Sequence, residues 1–385
     1  MNPPLDGLRV IDLSTHLSGP YCSMLLADLG ADVIKVERPE GDDMRQVPPF
    51  VNGESAPFML FNRNKRSVVL NLKTAVGRRA CLDLAARADV FLENFRPGVA
   101  ERLGLDYRTL ARANPRLVYC SISGFGQTGP YRDRGGFDLI AQAMSGLMSI
   151  TGEETGQPLR IPVPISDLCA GMFAAFGVLA ALQARHRTGL GQWIDHSLFE
   201  AAVSLGVYEA AGYLTTGEIP PRLGPAHRGS APYQAFRTKD GWVALGAASQ
   251  GLWERLCEVL GEPTLATDPR FTTNARRVEH WRELAELLQA RFEREPTGHW
   301  VKALEAAGIP VGPVLTYDQV FGHPQTRARD LVVEVEHPRA GTVRLLGIPV
   351  KLSATPGCIR RPAPLLGQHT DEVLAEISTP RCDGS

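Results

Sequence analysis

Residues 8–37, LRVIDLSTHLSGPYCSMLLADLGADVIKVE, predict a β-strand, an α-helix and a second β-strand in direct succession. The apolar run LRVIDL is typical of a buried strand, and ADVIKVE is typical of another. Between them, residues 19–30 have helical spacing and end at Gly30, a common helix terminator. Strand–helix–strand units of this kind build parallel sheets, so this stretch predicts an α/β fold.

The same alternation continues along the next ninety residues. Strand-like segments at 67–72, 89–95 and 117–126 alternate with helical spacing, most clearly at 77–88. This pattern predicts a Rossmann-like, doubly wound sheet with helices on both faces. Ligands bind such sheets at the carboxyl ends of the strands, here followed by STHLSGP (14–20), ERPEGDDMR (37–45), NFRPG (94–98) and GFGQTGPYRDRGG (124–136).

A change in composition near residue 220 predicts a second domain. The Pro- and Gly-rich segment 218–236 leads into a hairpin at 233–247 with Asp240-Gly241 as its turn, followed by helical stretches at 251–261, 281–293 and 297–307. A second hairpin at 332–347 and a helix at 367–377 end the chain. We therefore predict a large domain at 1–220, a smaller α+β domain at 221–329, and a segment at 330–385 that returns to the large domain.

Bulk composition narrows the possible classes of function. The 385 residues are 44% hydrophobic and 22% charged, with a formal net charge of −1, which indicates a soluble globular protein without the basic excess of a nucleic-acid-binding protein. Seven cysteines without a CxxC pair favour a reducing, cytoplasmic setting and predict no zinc site. Nine histidines without ligand spacing predict no other metal site.

Two segments bear on secretion and membranes. The N-terminus lacks the basic and apolar regions of a signal peptide. The uncharged run 168–184 is short for a membrane span and rich in Ala and Gly, so we predict a buried helix there and no membrane partner.

Asp167 is a single carboxylate between the Pro-broken segment IPVPIS (161–166) and that uncharged run. Asp is a favoured helix N-cap, and spacing alone favours this interpretation. A nucleophile or general base is the other reason to keep a carboxylate in apolar surroundings. The local pattern leaves both open.

Several cations follow the predicted strands. Arg38 and Arg45 lie beside an exposed loop, and Arg63, Lys65 and Arg66 occur within four residues. Singly they are solvated charges, whereas a cluster at the ligand-binding edge favours a phosphate-bearing ligand. Asn94 and Phe95 follow another strand, where Phe95 either packs in the core or offers a flat surface to an adenine ring. No GxGxxG fingerprint is present, which argues against a dinucleotide-dependent dehydrogenase.

Taken together, the motifs resemble one family. PLDGLRVIDLSTHLSGPYCSMLLADLGADVIKVERPEGDDMR, NRNKRSVVLNLK, VFLENFRPG, SISGFGQTGP and PISDLCAGMFAAFGVLAAL occur in the order found in the family III (CaiB/BaiF) CoA-transferases, relatives of formyl-CoA transferase. The resemblance implies an interlocked homodimer, in which each subunit has a Rossmann-like domain and a small domain. It also implies that acyl-CoA and a small carboxylic acid bind as substrates, with no tightly bound cofactor.

The resemblance assigns roles by position. Asp167 matches the family's nucleophile, which passes CoA between carboxylates through an anhydride and an enzyme–CoA thioester. A helix start would then help to keep this carboxylate ionised. Arg38 and Arg102 match phosphate contacts, Asn94 and Phe95 match contacts around the adenosine, and Leu72 and Leu17 match the CoA path. Residues 246–251, GAASQG, match a glycine-rich lid that includes Gly246 and Gln250.

The acyl group is predicted from further segments. Residues 133–152 and 226–247 look most like the dicarboxylate-using branch, which includes succinyl-CoA:glutarate CoA-transferase. A free distal carboxylate needs a cationic or hydrogen-bonding partner, for which Arg45, His227 and Arg228 are candidates. His16 stands where close members of that branch tend to carry Arg.

Two other functions remain as alternatives. The α-methylacyl-CoA racemases of the same superfamily use a His for proton transfer, but here Phe137 occupies that position and cannot move protons. A non-catalytic CoA-binding protein would keep the fold without turnover.

Overall fold

The computed structural model describes residues 2–378, in which strands and helices alternate as the sequence predicts. The strands are β1 (Arg9–Asp12), β2 (Asp32–Glu37), β3 (Phe50–Val51), β4 (Glu54–Ser55), β5 (Lys65–Val69), β6 (Val90–Glu93), β7 (Val118–Ser123), β8 (Trp193–Ser197), β9 (Tyr233–Arg237), β10 (Trp242–Gly246), β11 (Val311–Pro313), β12 (Val332–His337) and β13 (Gly341–Leu346). The helices are α1 (Ser18–Asp28), α2 (Ala56–Phe61), α3 (Ala75–Ala85), α4 (Val99–Leu103), α5 (Tyr107–Ala113), α6 (Asp138–Met144), α7 (Leu147–Ile150), α8 (Ile165–Thr188), α9 (Leu198–Ser204), α10 (Val207–Thr216), α11 (Gln250–Val259), α12 (Asn274–Glu279), α13 (Trp281–Phe292), α14 (Thr297–Ala306), α15 (Tyr317–Gly322), α16 (Pro324–Ala328) and α17 (Thr370–Ser378).

Six parallel strands form the main sheet in the order β5-β2-β1-β6-β7-β8. Numbered along the chain these strands run 3-2-1-4-5-6, the order of the Rossmann fold. The predicted parallel α/β sheet is thus confirmed. Its edge strand β8 is a strand that the apolar patterns did not predict.

Alternate side chains of each central strand enter two separate cores. Val10 and Val33 belong to the core on one face of the sheet, whereas their neighbours Ile11 and Ile34 belong to the core on the other. Successive side chains of a strand point to opposite faces, so nearly continuous apolar runs fit a sheet covered on both sides. The helices on both faces leave the loops after the strands as the exposed edge.

Helix α8 is the central helix of one face. It approaches α1 closely, because a Cβ on Gly171 would lie only 2.7 Å from the Ser18 carbonyl oxygen. Ala170 and Ala174 are fully buried on one side, while Phe173 and Phe176 are exposed on the other. The prediction of a buried helix is therefore right for one face only. Within residues 2–378, α8 alone is long and apolar enough to cross a membrane, and half of its apolar window is buried in protein.

The described chain divides into two compact units. The first contains residues up to Leu147, Arg160–Thr215 and the chain from Gln325, and the second contains Met148–Leu159 and Thr216–Pro324. In the second unit, β9 and β10 form an antiparallel hairpin with β11 beside β10. The Asp240 carboxylate accepts a 2.7 Å hydrogen bond from the Thr297 amide, which fixes the predicted turn against α14.

The cationic cluster after α2 has a structural role. Arg63 pairs with Asp28 at 2.7 Å, Lys65 pairs with Asp12 at 3.2 Å, and all four side chains are buried. Arg66 contacts Asp32 and two glutamates of α17, which ties this helix to the main sheet within the first unit. The hypothesis that this cluster binds phosphate is wrong, because carboxylates of the protein already pair with all three cations.

Replacing Arg63 with Met should destabilise the protein by about 3–5 kcal/mol, because Asp28 would remain buried without its cation. Urea unfolding measures the change. Arg79→Met is the matched control: Arg79 forms an exposed pair with Asp83 on α3, so its loss should cost less than about 1 kcal/mol. Equal losses for the two variants would contradict this role for Arg63.

Candidate active site

The strand order reverses between β1 and β6, and the loops after these two strands meet. The Asn94 side chain accepts a 2.9 Å hydrogen bond from the Thr15 amide and donates a 2.8 Å bond to the Thr15 carbonyl. In doubly wound sheets, the crevice at this reversal is the usual ligand site. The paired loops therefore define the floor of the candidate site.

A buried charge network supports that floor. The Asp12 carboxylate accepts hydrogen bonds from the Ser14 amide at 2.9 Å and from the Ser23 hydroxyl at 2.5 Å. Burial alone would raise the pKa of Asp12, but Lys65 and Lys35 hold it below its usual range. Burial lowers the pKa of Lys65 to about 8, against the attraction of Asp12.

Lys35 and Asp42 join the loops after β1 and β2. They form a fully buried ion pair at 2.7 Å, and the Lys35 ammonium also donates to the Ser14 carbonyl at 2.9 Å. Asp42 in turn accepts a 3.2 Å bond from the His16 amide, and His16 has a left-handed backbone with φ 62°. Such a conformation costs free energy in a residue other than glycine, so the surrounding bonds hold it in place.

One cavity of about 740 Å³ opens beside the end of β2, and we call it the Arg38 cavity. Arg38 and Lys73 supply its positive charge, while Leu72 and Phe95 are apolar parts of its wall. The Arg38 side chain is 55% exposed, donates to the Gly41 carbonyl at 3.0 Å and pairs with Asp43. Arg102 is exposed on α4, one residue before Leu103, which lines the cavity, but Arg102 does not line it.

A second cavity of about 460 Å³ contains Asp167, and we call it the Asp167 cavity. His16, Leu17 and Asn94 line it, as do the exposed Phe137 and two arginines, Arg96 and Arg134. Thr15 and Phe95 line both cavities, so the two adjoin at the strand-order reversal. A ligand that spans them would connect the cations of the Arg38 cavity with Asp167.

Asp167 is the third residue of α8, not its N-cap. The residue before the helix is Pro164, whose side chain forms no capping bond, so the N-cap interpretation of Asp167 is wrong. The Ser166 amide donates instead to Asp138 of α6 at 2.9 Å, and Gln142 donates to the same carboxylate at 2.7 Å. Asp138 therefore supplies the anion that stabilises the start of α8.

The Asp167 carboxylate is half-buried and receives no hydrogen bond from residues 2–378. Burial, with a smaller contribution from the negative charge of Asp138, raises its pKa to about 7. The expectation that the helix start keeps this group ionised is therefore not met in the free protein. A carboxylate that is poorly solvated and not hydrogen-bonded is more nucleophilic than one in water, and perturbed groups of this kind concentrate at functional sites.

Arg45 lies outside both cavities. Two of its nitrogens contact Glu37 at 2.7 Å, it donates to the Pro364 carbonyl at 3.2 Å, and it stacks 3.7 Å above the Phe58 ring. This guanidinium is committed to holding the C-terminal segment, so the predicted substrate role for Arg45 has no structural support. His369 also has a structural contact, since its Nδ1 accepts a hydrogen bond from the Ser67 amide of β5.

The remaining predicted substrate residues belong to the second unit. His227 and Gly246 line a cavity of about 670 Å³, in which the His227 ring lies 5.2 Å from the Tyr233 ring. Arg228 donates to the Pro221 carbonyl at 3.0 Å. Gln250 contacts Glu254 and Arg277, and the buried Arg277 also donates to the Ala248 carbonyl at 2.6 Å. These bonds anchor the segment 246–251 to its own unit.

The structure adds site residues that the sequence patterns did not single out: Lys73, Arg96, Arg134 and Asp138. Lys73 directly follows the predicted strand 67–72, and Arg96 and Arg134 lie in loops already identified as ligand-binding edges. Their position was therefore available in the sequence. The sequence alone provided no reason to assign these residues, and not their charged neighbours, to the site.

Comparison with known proteins identifies the family of this chain. The profile of CoA-transferase family III matches residues 5–370. Succinyl-CoA:glutarate CoA-transferase of Mus musculus is 44% identical, over 97% of this chain and 86% of its own, and acetyl-CoA:oxalate CoA-transferase of Acetobacter aceti is 41% identical, over 98% and 96%. The crystal structure of a CaiB/BaiF family protein from Brucella suis matches with a TM-score of 0.88 and 39% identity, covering 98% of this chain and 100% of that one. The chain is thus an enzyme of CoA-transferase family III.

Proposed function

We propose that this enzyme moves CoA from a dicarboxylyl-CoA such as succinyl-CoA to a free carboxylate, with Asp167 as the nucleophile. The observation that carries the proposal is the half-buried Asp167 in a cavity that adjoins a second, cation-lined cavity at the strand-order reversal. The names of the relatives, which pair succinyl-CoA with glutarate and acetyl-CoA with oxalate, support carboxylate exchange and leave the acceptor to experiment.

CoA would span the two cavities. Arg38 would bind its phosphates, with Arg102 reaching in from α4, while Asn94 and Phe95 would contact the adenosine part. The pantetheine arm would then pass Leu72 and Leu17 and bring the thioester to Asp167. This placement uses the exposed Arg38 guanidinium and leaves the buried ion pairs intact.

The chemistry follows from a nucleophilic carboxylate. The Asp167 carboxylate attacks the thioester carbonyl, the C–S bond breaks, and an acyl–aspartyl anhydride and CoA thiolate form. The thiolate attacks the aspartyl carbonyl and releases the first acid, which leaves CoA bound to Asp167 as a thioester. The acceptor carboxylate displaces the thiolate to form a second anhydride. Thiolate attack on the acceptor carbonyl of that anhydride gives the new acyl-CoA and restores Asp167.

We further propose that the enzyme is a cytoplasmic, interlocked homodimer. The six cysteines within residues 2–378 are free thiols, which suits a reducing compartment, and Cys382 lies outside the described residues. Phe176, Val207 and Leu214 are at least 65% exposed on α8 and α10. Exposed apolar groups of this kind are typical of surfaces that a second subunit covers.

Wild-type enzyme should transfer CoA from succinyl-CoA to at least one acid among glutarate, malate, citramalate, itaconate, mesaconate and oxalate, with the product read by mass spectrometry. Asp167→Ala should abolish transfer while CoA affinity, measured by calorimetry, changes less than about threefold, because no CoA contact is assigned to that carboxylate. CoA binding without transfer to any acid would favour the non-catalytic alternative. Exchange of the α-proton in deuterated water without CoA transfer would favour the racemase.

The kcat/KM for transfer should rise about tenfold per pH unit below pH 7 and level off above it, since the free enzyme must ionise Asp167 to attack.

A stability measurement tests the same pKa without turnover. Because the unfolded chain ionises Asp167 near 3.8, the folded state loses stability as the pH rises from 4 to 7. The melting temperature of Asp167→Asn, relative to wild type, should therefore increase over that interval. A constant difference would contradict the raised pKa.

Light scattering should give a mass of twice 41.9 kDa for the wild-type protein at micromolar concentration. Leu214→Asp should weaken the dimer, because a buried interface cannot solvate the new carboxylate. Val76→Asp is the control, since Val76 is 82% exposed on α3, away from this surface. A monomeric wild type would contradict the proposed assembly.

A further inference from the structure

Arg96 and Arg134 both line the Asp167 cavity, and neither forms an ion pair within the part of the chain that the structure describes. Two other arginines nearby are committed to buried carboxylates, Arg45 to Glu37 and Arg63 to Asp28, and Arg38 lines the adjoining cavity. We infer that Arg96 and Arg134 form the subsite for the distal carboxylate of the acyl group. The inference rests on the proposed function and names the residues that select a dicarboxylate.

Arg96 has a fixed place beside a glycine loop. Its guanidinium lies along Gly135, where an added Cβ would be 3.0 Å from Nη2 and 3.4 Å from Cζ. The next residue, Gly136, packs on Gly124 at the end of β7, where an added Cβ would be 2.5 Å from the Gly124 Cα. This loop is therefore held against the sheet, and the absence of a side chain at Gly135 makes room for the guanidinium.

Arg134 is positioned by an aromatic ring. Its guanidinium carbon lies 3.8 Å from the centre of the Tyr131 ring, a cation–π contact. The Tyr131 ring packs edge-on against Phe125, and Phe125 packs against Phe199 of α9. Stacking fixes the plane of a guanidinium while its N–H groups stay free to bind a carboxylate in the fork geometry that arginine favours.

The location selects a carboxylate over the phosphates of CoA. The thioester carbonyl must reach Asp167, so the part of the ligand that continues into the Asp167 cavity is the acyl group. The phosphates belong in the adjoining Arg38 cavity, which has its own cations in Arg38 and Lys73. Once Asp167 is acylated in the anhydride, a distal carboxylate is the acyl group's only charge, and a desolvated charge needs a partner.

The test compares two isotope exchanges that do not depend on the physiological acceptor: succinyl-CoA with labelled succinate, and butyryl-CoA with labelled butyrate. These acyl groups have the same length and differ in the distal carboxylate. Arg96→Gln/Arg134→Gln should raise the KM for succinate at least about tenfold, as expected for losing charged hydrogen bonds. Its butyrate exchange and CoA affinity should stay within about twofold of wild type. Arg134→Lys keeps the positive charge but loses the two parallel N–H donors of arginine. Its KM for succinate should lie between those of the wild type and the double variant.

Arg132→Gln is the matched control, because Arg132 is an exposed neighbour that pairs with Asp133 and does not line the cavity. Its two exchanges should equal those of the wild type. An unchanged succinate KM in the double variant would overturn the inference. Weaker CoA binding with an equal loss of both exchanges would overturn the inference, because it would show that the two arginines bind the CoA phosphates. A monomeric double variant would also overturn it, because it would show that the arginines hold the dimer together. Absence of the succinate exchange in the wild type would instead contradict the proposed function.

Discussion

The buried ion pair between Lys35 and Asp42 is the interaction on which the site most depends. Lys35 also holds the Ser14 carbonyl, and Asp42 holds the His16 amide, so one pair fixes the loops after β1 and β2. A buried pair contributes little net stability, because desolvation of both charges offsets their attraction. Its effect is positional: it maintains the left-handed backbone at His16 and so the wall of the Asp167 cavity.

Asp167 differs from these buried charges because no cation or hydrogen-bond donor among residues 2–378 pairs with its carboxylate. Asp12, Glu37 and Asp42 are as buried or more so, yet their partners hold each pKa below its usual range. For Asp167, burial raises the pKa, and the negative charge of Asp138 raises it further. The fold thus pairs these three structural carboxylates internally and leaves Asp167 poorly solvated. A substrate that supplies electrophilic carbon and excludes water would find it without a competing partner.

Local patterns were enough to predict most of the first unit. Strands β1, β2, β6 and β7 are apolar runs buried on both faces, which a single sequence displays clearly. Strand β8, WIDHS, lies at the sheet edge with Trp193 and Asp195 exposed, so it lacks such a run. The hairpins at 233–247 and 332–347 were also predictable, because their turns and alternation are local.

The charged residues show where such reasoning ends. Arg45 and Arg96 both follow predicted strands, and nothing local separates them. Arg45 contacts Glu37 and Pro364 only after β2 and the C-terminal segment come together. Arg96 instead lies along Gly135 and pairs with no carboxylate in the described part of the chain. Likewise, Asp138 caps α8 from a different helix, 28 residues earlier in the chain. Tertiary contacts determine which charged side chains are already paired within the protein. The side chains that stay unpaired are the ones that a ligand can bind.

The central claim is that Asp167 carries the transferred group during turnover. Hydroxylamine converts an aspartyl anhydride or thioester into a stable hydroxamate, which adds a fixed mass to the modified peptide. Enzyme treated with hydroxylamine in the presence of succinyl-CoA should carry that mass on the peptide containing Asp167, and enzyme without succinyl-CoA should not. Transfer activity without any hydroxamate at Asp167, or with the modification at another carboxylate, would contradict the account.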